Sequence, residues 1–186
     1  MVLFCQSYKY CSNLPNFCNF VANVRAMAKK IEKTNAARLL DRAKIAYDLI
    51  PYEVDESDLA ATHVAESLGQ PIERVYKTLV LKGDRNGYFV CVIQGDAEVD
   101  LKLAAKVSGN KSANLIPMKE LLPTTGYIRG GCTPIGMKKR FPTFIDERVL
   151  GLDYIYISAG QRGLQLRLDP QALIDFVGAE VAPLIL

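Results

Sequence analysis

The chain has 186 residues, 49% hydrophobic and 23% charged, with a formal net charge of +3. That is enough chain for one domain with a sizeable core, and the charge is too mild to imply nucleic-acid binding by itself. The sequence has no apolar run long enough for a transmembrane helix and no secretory signal, because Gln6, Ser7 and Lys9 interrupt its apolar start. The expected location is the cytoplasm. Five cysteines without a signal argue against a disulfide framework, and a single histidine, His63, excludes multi-histidine metal sites. A Ser–His or Cys–His catalytic pair could use only that residue.

Residues 1–27 hold three of the cysteines, no acidic residue and no trustworthy period. They are expected to be an extension outside the fold, with Met27-Ala28-Lys29-Lys30 as the natural start and residues 28–186 as the domain. Thr34 reads as the N-cap of a first helix with Ala36, Leu39, Leu40 and Ala43 on one face. Tyr47 to Val54 reads as a strand, and Pro51 suits it to a sheet edge. Thr62 is the expected cap of a short helix stopped by Gly69. His63, in its first turn, is expected at the surface and away from any pocket.

Val75 to Lys82 reads as the next strand, with Gly83 beginning a turn and Val75, Lys77, Leu79 and Leu81 on one face. Lys77 is the odd member. Taken alone, the strand favours a lysine snorkelling from a frayed end; the alternative is a lysine lining a pocket to meet an anion or a polarised oxygen. Asn86-Gly87 turns the chain into a hairpin, and Tyr88 to Ile93 reads as a central strand buried on both faces, with Cys91 as a core residue. Asp100 caps a helix that exposes Lys102 and Lys106, four residues apart.

A short helix follows over Pro117 to Leu122, then a glycine-rich loop from Gly126 to Gly136. That loop is either a bulged turn or a place where backbone N–H groups hold an oxygen. Lys138-Lys139-Arg140 after it reads as a solvated face, with phosphate contact as the alternative. Tyr154–Ser158 and Leu164–Leu168 form a second hairpin, with Leu164, Leu166 and Leu168 facing in and Gln165 and Arg167 facing out. Asp169-Pro170 opens a last helix that Gly178 ends.

Several of these segments, in this order, resemble the YbaK-type bacterial aminoacyl-tRNA deacylases, which share a fold with the editing domain inserted in many prolyl-tRNA synthetases. The segments are Val75-Tyr76-Lys77-Thr78-Leu79, Asp100-Leu101-Lys102 with Ala104-Ala105-Lys106, Thr125-Gly126-Tyr127, Gly130 to Gly136 with Lys138-Lys139, and Ile155-Tyr156-Ile157-Ser158 with Arg162-Gly163-Leu164. The resemblance runs from about Thr34 to the C-terminus. It implies a single α+β domain with a mixed, curved, barrel-like sheet surrounded by helices and enclosing a small pocket.

It also implies an enzyme of lyase or hydrolase type that clears cysteine from proline tRNA, with cysteinyl-tRNA(Cys) or alanyl-tRNA(Pro) as alternative substrates. A non-catalytic module that binds tRNA or a synthetase is the reading from another class. No cofactor or metal is implied. The partners implied are the mischarged tRNA and prolyl-tRNA synthetase in a ternary complex; neither DNA nor a membrane is expected. The family's essential lysine matches Lys77, its substrate-proximal tyrosine Tyr52, the first glycine of its pair Gly130, and the serine ending a late strand Ser158. Thr78 and Gly131 adjoin these as substrate-binding residues, and Lys102, Lys106, Lys138 and Lys139 as tRNA contacts. Cys132 and Ala159 depart from the pattern, standing where some members have isoleucine or valine and where many have glycine.

Overall fold

The computed structural model describes residues 32–57 and 59–185; the expectation for residues 1–27 lies outside them. Helix α1, Asn35–Ala43, begins where the Thr34 side chain accepts from the Ala37 N–H at 3.2 Å. Strand β1, Tyr47–Pro51, pairs only with a late strand, which is the edge position Pro51 requires. Helix α2, Ala61–Leu68, starts one residue earlier than its expected cap. Ala60 is the last extended residue and has no side-chain cap, so Thr62 already lies inside the first turn. Gly69, at φ +60°, ends it in the left-handed conformation that glycine adopts readily.

Strands β2, Tyr76–Gly83, and β3, Tyr88–Gln94, form the expected hairpin. Helix α3, Leu101–Val107, is capped by Asp100, whose Oδ1 accepts from the N–H groups of Lys102 at 2.7 Å and Leu103 at 3.1 Å. Asp100→Ala is expected to lower stability by about 1 kcal/mol, measured as a shift in the urea midpoint at unchanged slope. Next come β4, Ala113–Leu115, then α4, Met118–Thr125, and β5, Thr143–Asp146. The second hairpin is β6, Ile155–Ser158, with β7, Leu164–Leu168. Helix α5, Pro170–Val177, starts at Asp169 as expected, and β8, Glu180–Ala182, follows it.

The strands lie in two sheets. One is antiparallel with order β1-β7-β6; the other is mixed, with order β4-β2-β3-β5-β8 and parallel β3–β5 and β5–β8 pairs. A single parallel bridge, Val75 to Tyr156, ties them together. The mixed sheet is therefore as expected, but the described strands do not close into a barrel.

The largest core fills the space between the sheets, with Leu40, Val80, Val92, Ile145, Ile157, Leu166 and Leu173 all buried. Leu81, Phe89, Cys91 and Ile93 pack on the opposite face of the larger sheet against Ala104 and Ala105 of α3. β3 is thus covered on both sides, as its unbroken apolar run requires. A third, smaller cluster packs Val64 and Ala65 of α2 over Val75 and Tyr156.

Candidate active site

The site forms where the two sheets part. β2 meets β6 only at Val75, and β4 only from Leu81 onward. The Gly95 N–H donates to the Val75 carbonyl at 2.7 Å, and the Gly83 N–H to the Gly87 carbonyl at 2.8 Å. In an antiparallel ladder this phase turns the odd-numbered residues of β2 toward β3 and the even-numbered ones away. On that outer side the Val80 carbonyl accepts from Ile116 at 3.1 Å. Between the bridge and Val80, the backbone N–H and C=O of Thr78 are left pointing into a gap. A cavity of about 780 Å³ opens along this edge, with Tyr52, His63, Lys77, Thr78, Gly130, Cys132, Ser158 and Gln165 among its walls.

Strand register explains why these side chains converge. Extending the parallel Val75–Tyr156 bridge by two residues sets Lys77 level with Ser158, and the β6–β7 ladder sets Ser158 opposite Gln165. The β1–β7 ladder sets Gln165 opposite Ile50. One row therefore crosses β2, β6, β7 and β1 on a single face: a cation, a hydroxyl, an amide and an aliphatic chain.

Lys77 is half-buried, and its Nζ donates to the Gly95 carbonyl at 2.8 Å. Burial pulls its pKa below the ordinary lysine value, while Asp96 and Glu98 nearby pull the other way. Of the two readings open at the strand level, the pocket is the one the fold realises. Arg129 also reaches the wall but is exposed at the mouth. Ser158 Oγ accepts from the Gly160 N–H at 3.3 Å, which leaves its own O–H available as a donor. Thr78 Oγ1 and Gln165 Oε1 are buried without a hydrogen-bond partner.

The glycine pair divides into two roles. Gly130, at φ +81°, lies on the cavity wall. Gly131 donates its N–H to the Ile128 carbonyl at 3.0 Å, and a Cβ there would stand 3.1 Å from the Gln161 Cα. The second glycine is therefore a turn and packing residue whose N–H is already taken, and of the pair only Gly130 lines the cavity.

Cys132 lines the cavity, but burial pushes its thiol pKa up to about 12, so it stays protonated at neutral pH. A covalent role needs the thiolate. Cys132→Ala is accordingly expected to keep turnover within about threefold of the parent; a complete loss would show that the thiol takes part covalently.

Two residues read as outside the pocket are in its wall. His63 faces the cavity from the first turn of α2, with Nε2 3.5 Å from Ser67 Oγ. Gln165 is 5% exposed. Alternation assigned it to solvent, but α2 packs over that side of the sheet. The observed hairpin register pairs Gln165 with Ser158, on the face opposite Leu164 and Leu166.

The four lysines expected to touch tRNA do not line the cavity. Lys102 and Lys106 are exposed on α3, whose first residue, Leu101, reaches the wall. Lys139 is exposed, and Lys138 Nζ lies 3.4 Å and 3.5 Å from the carbonyls of Leu122 and Pro123, at the C-terminal end of α4. Among the described residues, no group of three or more His, Cys, Asp or Glu could hold a metal ion.

Residues 56–176 match the aminoacyl-tRNA editing domain family, and the chain belongs to that family. It is 46% identical over 158 residues to the "Putative Cys-tRNA(Pro)/Cys-tRNA(Cys) deacylase EbsC" of Enterococcus faecalis, covering 84% of this chain and 96% of that protein. It is 31% identical over 139 residues to the proline–tRNA ligase of Cupriavidus necator, covering 73% of this chain and 24% of that enzyme. Among solved structures it is similar to "a putative trans-editing enzyme for prolyl tRNA synthetase", with a TM-score of 0.72 at 24% identity over 83% of this chain and 99% of that one.

Proposed function

We propose that this chain is a trans-editing deacylase that clears cysteine from Cys-tRNA(Pro), with residues 28–186 as the catalytic domain and the cytoplasm as its place of work. The observation that carries this reading is Lys77: a half-buried ammonium, fixed by the Gly95 carbonyl, in the cavity of an editing domain. Support for the substrate comes from the named activity of the Enterococcus relative and from the likeness to part of proline–tRNA ligases. Cysteine and proline are close in size. A difference of that order is worth only about 1–3 kcal/mol in a binding pocket, so a second site must remove the errors.

The substrate is an ester, already reactive, and needs positioning and charge stabilisation more than a strong nucleophile. Lys77 holds the terminal phosphate or the ester carbonyl by charge and hydrogen bonding. The backbone N–H groups of Thr78 and Gly130 are the neutral donors closest to that task, and Tyr52 and Ser158 shape the cavity. The substrate thiol then attacks its own carbonyl carbon. A C–S bond forms, the bond from that carbon to the ribose 3′ oxygen breaks, and the thiol proton passes to that oxygen. The cyclic thioester leaves and hydrolyses in water. Lys102 and Lys106, on the exposed face of α3, contact phosphates, and prolyl-tRNA synthetase in a ternary complex supplies tRNA recognition.

The experiment compares Cys-tRNA(Pro) with Ala-tRNA(Pro) at equal concentration. Faster release of cysteine supports the reading; faster release of alanine moves the assignment to a sibling activity in the same cavity. Binding of both without turnover would make the chain a tRNA-binding module.

A further inference from the structure

We infer that Gln165 holds the α-ammonium of the aminoacyl group, so that the cavity reads the free amine of its substrate as well as its ester. The inference rests on the deacylase reading above. Gln165 is 5% exposed, it contributes to the cavity wall, and its Oε1 has no hydrogen-bond partner. A buried acceptor left without a donor is costly and rare, and at a cavity wall it marks a group that a ligand completes.

The chemistry of the row selects the ligand group. Lys77 only donates, and the hydroxyl of Ser158 can donate or accept, whereas an amide oxygen only accepts. An aminoacyl ester carries two carbonyl-type oxygens as acceptors and one strong donor, the ammonium. Like charges also separate: the ammonium avoids Lys77, which occupies the β2 end of the row. Gln165 stands further along the row, on β7, paired across from Ser158. The aminoacyl group would therefore lie along the row, with its ester oxygens toward Lys77 and Ser158 and its nitrogen toward Gln165. A neutral amide suits this task because it orients the ammonium without gripping it, so the product is released.

The test measures kcat and KM of the full chain on Cys-tRNA(Pro) and on N-acetyl-Cys-tRNA(Pro). The parent should prefer the free amine by about tenfold or more, as expected for one hydrogen bond to a charged group. Gln165→Leu, nearly the same size and at home in a buried position, should lower kcat/KM on the free amine about tenfold, mainly through KM. It should leave the acetylated substrate unchanged, so the preference collapses. Gln165→Glu, which keeps an acceptor, should restore the preference. A Gln165→Leu variant that loses activity equally on both substrates, or on neither, overturns the assignment. A parent that clears neither substrate overturns the deacylase reading and this inference with it.

Discussion

Lys77→Ala is expected to lower kcat/KM on Cys-tRNA(Pro) by about 10²–10³-fold, the usual effect of removing one preorganised donor from a site where charge develops. The variant should fold. Burial already lowers the Lys77 pKa, which means the charged form is less stable in the folded protein than in water. Removing it relieves that cost, so the melting temperature should not fall. The same shift fixes the sign of the pH dependence. In the role proposed for it the working form is the ammonium, so activity is expected to decline as pH rises through the folded pKa, at a lower pH than for an ordinary lysine. A folded Lys77→Ala variant with parental kcat/KM would remove the lysine from the mechanism.

Gly95→Val should have the largest effect on stability, and for a reason tied to the same lysine. Gly95 sits at the end of β3 against α2: a Cβ there would stand 2.7 Å from the Ala61 Cβ and 3.0 Å from the Val75 carbonyl oxygen. Neither neighbour is the far end of a flexible chain. Overpacking of this kind costs about 1–3 kcal/mol, and valine adds two methyl groups to the clash. The Gly95 N–H bonds the Val75 carbonyl and the Gly95 carbonyl holds Lys77 Nζ, so displacement at this point also releases the ammonium. The expected result is a lower denaturant midpoint together with reduced turnover at temperatures where the variant is still folded. Unchanged stability would mean that α2 yields freely, and unchanged turnover that the Gly95 contact does not position Lys77.

The sequence exposed what is encoded locally. Thr34, Asp100 and Asp169 each accept backbone N–H groups at the helix starts assigned to them, and the Asn-Gly hairpin and the two-sided burial of β3 follow from their residues. β4, β5 and β8 were not legible. They are three or four residues long, too short for an alternation signal, and each exists because a distant strand supplies its partners, as Val90 does for Thr143. The site divides along the same line. Lys77 and Ser158 stand out on their own strands, but the row that joins them depends on a single bridge between two sheets. His63 was placed outside because the first turn of a short helix is normally exposed, and Gln165 because alternation assumes that the second face of a sheet meets water. Here α2 covers that face.

The most direct test is the release of cysteine from purified Cys-tRNA(Pro) by the full-length chain, alongside correctly charged Pro-tRNA(Pro). Release well above the spontaneous rate is expected for the cysteinyl ester, with no acceleration for the prolyl ester. Spontaneous rates on both would contradict the deacylase reading.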